Sequence, residues 1–293
     1  MKKFVIDEDF LQSLERLEML IKNNYAGMFG GNRKSKNYGS SCEFADYRDY
    51  MPGDDISKID WNAYARFDKL YRKLYLDERQ MHTKIYIDAS RSMDYGEAGK
   101  AEQAIKLAAA IAYLSVAGMD KVSIYTVKDS TVEEVATMVG KEAFLLNIGK
   151  LNDISFSSDS FISSAIMPEK VGYGDGMSVI ISDFLTDNDY EGAIDLLADK
   201  RRHTLCVQVL TPEEEAPAMR GKVHLFDSEN PEKYYRKNID REIARAYREA
   251  VAYVKNRIKD YCLSRGADYL FISSSDSLDE IFFVKMVELG VLK

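Results

Sequence analysis

KIYIDASRSMDYG, Lys84–Gly96, begins as a buried apolar strand and ends in a cluster of small oxygen-bearing side chains. Residues two apart in a strand share a face, so Asp88, Ser90 and Ser92 converge on one point where the strand frays. Carboxylate and hydroxyl oxygens gathered in this way suit a hard divalent cation.

Outward from this stretch, short apolar strands alternate with helical patterns. TKIYID is followed by a helix near Ala98 to Ala117, with Ala104, Leu107, Ala108, Ile111, Ala112, Leu114 and Ser115 on one side at helical spacing. KVSIYTV, a short antiparallel partner TVEEVATMV, a helix KEAFLLNIGKL, a strand MSVIISDF, a helix YEGAIDLLADK and a strand HTLCVQVL continue the order. Strand–helix–strand repetition predicts an α/β fold with a doubly wound, mostly parallel sheet. After TPEEEAPAMRG the rhythm breaks. KVHLFDSENPEKYYRKN reads as a hairpin around an Asn-Pro turn, and a long helix from Asp240 to Arg265 carries Ile243, Ala244, Tyr247, Val251, Val254 and Ile258 on one stripe, with Gly266 as its stop. ADYLFISS supplies one more strand, and a last helix carries Ile281, Phe282, Val284 and Leu289. The reading is a core domain over 81–293, with an insertion at about 212–265 between the last two strands, and an N-terminal segment over 1–80 packed on that core.

Bulk properties narrow the function classes. The chain has 293 residues, 46% hydrophobic content and a formal charge of −8, enough for a core without staples and contrary to the basic surface that nucleic acid requires. The three cysteines, Cys42, Cys206 and Cys262, are widely spaced and form no CxxC pair, which predicts reduced thiols in a cytoplasmic protein and argues against zinc. The N-terminus, MKKFVIDEDFLQSLERLEML, meets Asp7, Glu8 and Asp9 before any signal-like run and reads as an amphipathic helix, while GMFGGNRKSKNYGSS reads as a flexible loop. The longest apolar region, from Ala104, is interrupted by Lys106 and is too short to cross a bilayer, so no membrane span is expected.

In an open parallel sheet, ligands bind at the carboxyl ends of the strands near the point where strand order reverses. SVIISDF ends in Asp183, and SSDSFISSAI just before it offers Asp159 and Ser160. These oxygens suit one Mg²⁺ or Mn²⁺ per chain better than a soft metal. DASRS resembles the DxSxS signature of von Willebrand factor A domains. That resemblance implies a metal-ion-dependent adhesion site in which Ser90 and Ser92 touch the metal, Asp88 and Asp183 act through water, and a partner carboxylate completes the coordination. By position Ser160 stands where such domains carry Thr; it keeps the hydroxyl and loses the methyl that restricts its rotamer, which implies weaker metal binding. Asp94 reads as a loop residue, and Lys100 and Arg91 as facing solvent.

A second informative stretch is CEFADYRDYMPGDDISKIDWNAYARFDKLYRKLYLDER. MPGDD is a turn, with Gly53 free to take a positive φ, and KIDWNAYAR a helical turn with Trp61 buried; Asp54, Asp55 and Asp60 stand near Arg48, Lys58 and Arg66 for charge pairing. The segment also resembles the opening of a bacterial family, domain of unknown function fifty-eight, through Glu43-Phe44, Arg48 to Tyr50, Pro52 to Asp55, Ile59 to Trp61 and Ala65-Arg66. The likeness extends through DASRSM and SDF to VHLFDSENPE and GADYLFI. It implies a non-enzymatic adaptor working with a MoxR-type AAA+ ATPase in assembly or maturation of other proteins. Such an adaptor grips an acidic side chain of a client through the cation. Arg48, Tyr50, Asp54, Asp55, Asp60, Trp61 and Arg66, with the inserted hairpin, would form a second docking surface. The alternative is a metal-dependent hydrolase of phosphate esters; against it, His82, His203 and His224 are scattered, the first two at strand beginnings on the opposite edge, and no phosphate-cradling glycine loop is present.

Overall fold

The computed structural model describes residues 5–24, 44–75, 81–94, 99–157, 159–167, 171, 176–185, 190–217, 221–226 and 234–291. The glycine-rich loop read at 27–41, Cys42 and the Asn-Pro turn of the hairpin lie outside them. The chain divides into two compact units, residues 32–80 and residues 1–31 with 81–293.

In the larger unit the first helix, α1 (Glu8–Asn24), opens with acidic residues in its first turn, where they complement the helix dipole. Its Leu14, Leu17 and Ile21, at helical spacing, are buried in the core, so the amphipathic pattern is borne out.

The smaller unit is a two-stranded antiparallel ribbon, β1 (Phe44–Asp49) on β2 (Tyr71–Tyr75), with the seven-residue helix α2 (Trp61–Phe67) in the connection. Gly53 takes φ 103° in the MPGDD turn, a value that disfavours any side chain. Trp61 corrects the sequence reading: it is 58% exposed. No residue of α2 is buried, and among the described residues its unit offers only a two-stranded ribbon to pack on.

The core is a six-stranded sheet in the order β10-β7-β6-β3-β4-β5. In chain order, β3 (His82–Asp88) leads to α3 (Lys100–Ala117), β4 (Lys121–Lys128), β5 (Thr131–Val139) and α4 (Gly140–Asn147). Then follow α5 (Ile162–Ala165), β6 (Met177–Ser182), α6 (Glu191–Asp199), β7 (His203–Leu210) and α7 (Pro212–Glu215). The inserted hairpin is β8 (Gly221–Phe226) and β9 (Tyr234–Ile239), followed by α8 (Arg241–Ser264) and β10 (Asp268–Ser273). The last helix forms as three short pieces, α9 (Leu278–Glu280), a π-helical turn Ile281–Lys285 and α10 (Met286–Glu288). All neighbouring strands are parallel except β4 and β5, which closes one edge antiparallel.

Every residue of β6, and all of β3 beyond His82, is buried, as a parallel sheet covered on both faces requires. Alternation sends Ile85 and Ile87 into one hydrophobic cluster and Tyr86 into the other. The first cluster joins the sheet to α1, α3 and α4, and the second joins it to α5, α6 and the far half of α8. Asp240 caps α8 through its carboxylate to the Ile243 N–H at 2.8 Å, and Gly266 follows the helix at φ 69°. The predicted stripe of α8 is only half used, since Val251 and Ile258 are buried but Ile243 and Tyr247 are exposed.

Candidate functional site at the carboxyl rim of the sheet

From β3 the chain runs to β4 and β5 on one side, then returns to β6, β7 and β10 on the other. The reversal of strand order therefore falls between β3 and β6, and the crevice beyond their carboxyl ends is the expected ligand position. Asp88 ends β3 and Asp183 follows β6 directly, so both carboxylates lie at that crevice. They are 1% and 0% exposed.

Hydrogen bonds tie the first group together. The Ser90 N–H donates to Asp88 Oδ1 at 2.9 Å, the Ser182 hydroxyl donates to Asp88 Oδ2 at 2.5 Å, and the Ser90 and Ser92 hydroxyls stand 3.0 Å apart. Ser182 Oγ also accepts the Phe184 N–H at 3.0 Å, which turns the chain sharply after β6; Phe184 sits at φ 50°. Burial, and then the nearby Asp183 charge, push the Asp88 carboxyl above the ordinary carboxylate range. Ser160 reaches the same rim by another route. Its loop is pinned beside the end of β4, with the Asp129 N–H donating to Asp159 O at 2.7 Å and the Phe161 N–H to Asp129 O at 2.8 Å, and Ser160 is buried.

The second group was invisible to sequence reasoning. Lys100, expected at the surface, is fully buried, and its ammonium bonds Asp183 Oδ2 at 2.8 Å and Glu214 Oε1 at 2.6 Å. The misplaced expectation has a physical cause: a lysine at a helix start faces the positive end of the dipole and is normally left to water. Here two carboxylates compensate. Burial alone would lower the Lys100 pKa, but the Asp183 and Glu214 charges outweigh it and raise it. The Leu185 N–H occupies Asp183 Oδ1 at 3.1 Å, while Gln208, itself held by Tyr269 at 2.6 Å, donates to the Asp183 carbonyl at 2.8 Å. Lys100 at the start of a largely apolar helix was the only signal available. Arg91 is exposed as expected and reaches Ser157 O at 3.2 Å, and Asp94 is exposed at the end of a 3-10 turn.

Among the described residues no group of three or more His, Cys, Asp or Glu side chains is gathered to hold a metal by those donors alone. The rim set is instead mixed: carboxylates with serine hydroxyls, hard oxygens of the type Mg²⁺ and Mn²⁺ prefer. Its charge also fits, because Asp183 and Glu214 share a single ammonium and the Asp88 carboxyl stands within the influence of Asp183. His82 and His203 open β3 and β7, at the opposite edge of the sheet from these carboxylates.

In the smaller unit, the acidic hallmark residues are spent on local structure. Asp54 accepts from Arg48 and Arg72, each at 2.7 Å. Asp55 caps a 3-10 turn through Ser57. Asp60 caps α2, accepts the Tyr47 hydroxyl at 2.8 Å and pairs with Lys73 at 3.3 Å. The Tyr47 bond first, then the helix N–H groups, hold its carboxyl down at about 2. Tyr50 joins the ribbon through its N–H to Leu70 O at 2.9 Å. Trp61 and Arg66 are exposed, and a cavity of about 590 Å³ is lined by Tyr47, Asp60, Ala63, Arg66, Phe67 and Tyr71.

A doubly wound sheet with one antiparallel edge and an Asp-x-Ser-x-Ser loop at its switch point defines an α/β protein with a von Willebrand factor A-like core. The chain belongs to the family described as Protein of unknown function DUF58, whose model matches residues 46–257. It is 28% identical over 234 residues to Uncharacterized protein Rv1480 of Mycobacterium tuberculosis, covering 76% of this chain and 72% of that one. Among solved structures it is similar to the conserved hypothetical protein BatB from Bacteroides thetaiotaomicron, at 16% identity and TM-score 0.44, over 72% of this chain and 98% of that one. The SpRpn10 VWA domain overlaps at 10% identity and TM-score 0.37, over 68% of this chain and 92% of that one.

Proposed function

We propose that this chain is a non-enzymatic protein-interaction adaptor that receives a partner at the carboxyl rim of its sheet. The observation that carries the reading is the convergence of Asp88, Ser90, Ser92 and Asp183 from two neighbouring parallel strands, with Ser160 alongside. A divalent cation, Mg²⁺ or Mn²⁺, would supply an electrophilic position that draws an acidic side chain of a client. Ser90 and Ser92 would offer hydroxyl donors, and Asp88, Asp183 and Ser160 the surrounding oxygens. Phe161 and Leu185, close to two of these positions in the chain, remain exposed. Apolar side chains around a polar centre favour docking of a protein surface, since they exclude water from the charged contact. The resemblance noted in the sequence implies a MoxR-type AAA+ ATPase as the working partner, with Trp61 and Arg66, both exposed on the smaller unit, as its contacts.

Asp88→Asn tests the cation. The amide keeps an acceptor for the Ser90 N–H and donates to Ser182 Oγ, so the fold is retained while one charge is lost. Calorimetric titration with MgCl₂ is expected to show binding to the unmodified chain that weakens by about ten-fold or more in the variant. Equal affinity in both would remove the rim as the binding position. Capture of the ATPase from the native cell, with and without chelator, tests the partner; capture indifferent to chelator would remove the cation from the interface.

A further inference from the structure

We propose that Lys100 is a resident counter-ion that stands in for part of a divalent cation's charge and thereby sets how tightly the rim takes one. This rests on the reading of the rim as a cation site. Lys100 is fully buried, so its ammonium cannot be shared with solvent or with a docking partner. It bridges Asp183 Oδ2 and Glu214 Oε1. Nor is Glu214 a loose arm: it sits in a capping box, with its N–H donating to Thr211 Oγ1 at 3.1 Å and its Oε2 accepting the Thr211 N–H at 2.8 Å. The ammonium is thus held in place from two fixed elements, the turn after β6 and the start of α7, although the α3 dipole opposes it.

The consequence for binding is one of sign. An ammonium fixed on Asp183 repels an incoming cation and occupies an oxygen that the cation's hydration shell would use. Take the ammonium away, and the Asp183 and Glu214 carboxylates that share it lose their compensation, with Asp88 close to Asp183. In a buried site that arrangement is strongly destabilising unless another positive charge arrives. Lys100 therefore allows the rim to keep its shape in the absence of metal, at the expense of metal affinity.

The test uses the full chain with Lys100→Met and Lys100→Gln, read by MgCl₂ calorimetry and by thermal melts in EDTA and in Mg²⁺. The unmodified chain is expected to melt only modestly higher in Mg²⁺ than in EDTA, the shift that cation binding to the folded state requires. The variants are expected to melt lower in EDTA, to recover in Mg²⁺, and to bind Mg²⁺ more tightly by about ten-fold or more. Affinity that is unchanged or weaker in both variants overturns the proposal, as does a pair of variants that stays unfolded at saturating Mg²⁺. The two readings fail separately. If Asp88→Asn loses Mg²⁺ while the Lys100 variants match the unmodified chain, the cation site stands and the counter-ion role falls. If only the Lys100 variants bind Mg²⁺, the counter-ion role stands and the unmodified rim does not work through a metal.

Discussion

His82 opens β3 among positive charges. Burial first, then Lys84, Lys121 and Arg202, depress its pKa from 6.5 to about 4, while its ring shares a 2.9 Å hydrogen bond with Ser123 Oγ. The unfolded chain takes up this proton near the ordinary value and the folded chain only near the depressed one. Between the two, the unfolded state binds more protons, so stability is full above about 6.5 and falls as pH drops towards about 4. Denaturant titrations across that window are expected to show a smaller loss in His82→Gln, and an identical slope in both chains would rule His82 out as the source. Trp61, the only tryptophan, gives a simpler expectation. An exposed side chain contributes little, so Trp61→Ala should change stability by no more than about 0.5 kcal/mol, and the native emission should be readily quenched by iodide. The residues legible from sequence were those with a local pattern, since Asp88, Ser90 and Ser92 share a strand end. Lys100 and Glu214 were not, because they lie 114 positions apart and meet only through the packing of α3 against the strand ends.

At the scale of elements, the alternation of strands and helices was readable because burial on both faces demands continuous apolar runs such as MSVIIS. The reading failed where, among the described residues, apolar side chains of an element remain exposed. That holds for α2 and for the first half of α8, whose apolar side chains Ile243 and Tyr247 follow helical spacing yet stay exposed. Periodicity reports which residues share a face and says nothing of whether a second element lies on it. The short helix α7 shows the reverse: it exists by virtue of its cap. Thr211→Ala removes the acceptor for the Glu214 N–H and is expected to cost about 1 kcal/mol by chemical denaturation. It should also lower the melting temperature in EDTA more than in Mg²⁺, because Glu214 helps to hold Lys100. An equal drop in both solutions would separate the cap from the rim.

For the whole molecule, strand order was not written in the sequence, though the rule that crossovers are right-handed and the antiparallel β5 edge limited the possibilities. α1 is part of the larger unit's core from outside the strand-helix repeat. Leu17→Ala is expected to cost about 2–5 kcal/mol in a denaturant titration, as for any fully buried leucine, and a cost under about 1 kcal/mol would mean that α1 is dispensable to that core. β7 and β10 are sheet neighbours, yet α7, the hairpin and α8 intervene in the chain. The hairpin begins only seven residues after Glu214, a span of at most about 25 Å even when fully extended. β8 and β9 are therefore leashed to the ion-paired cluster. If a client docks at that crevice as proposed, the tethered ribbon lies within reach of it, and variation in the ribbon's sequence would be a route to a change of client that leaves the charged centre intact.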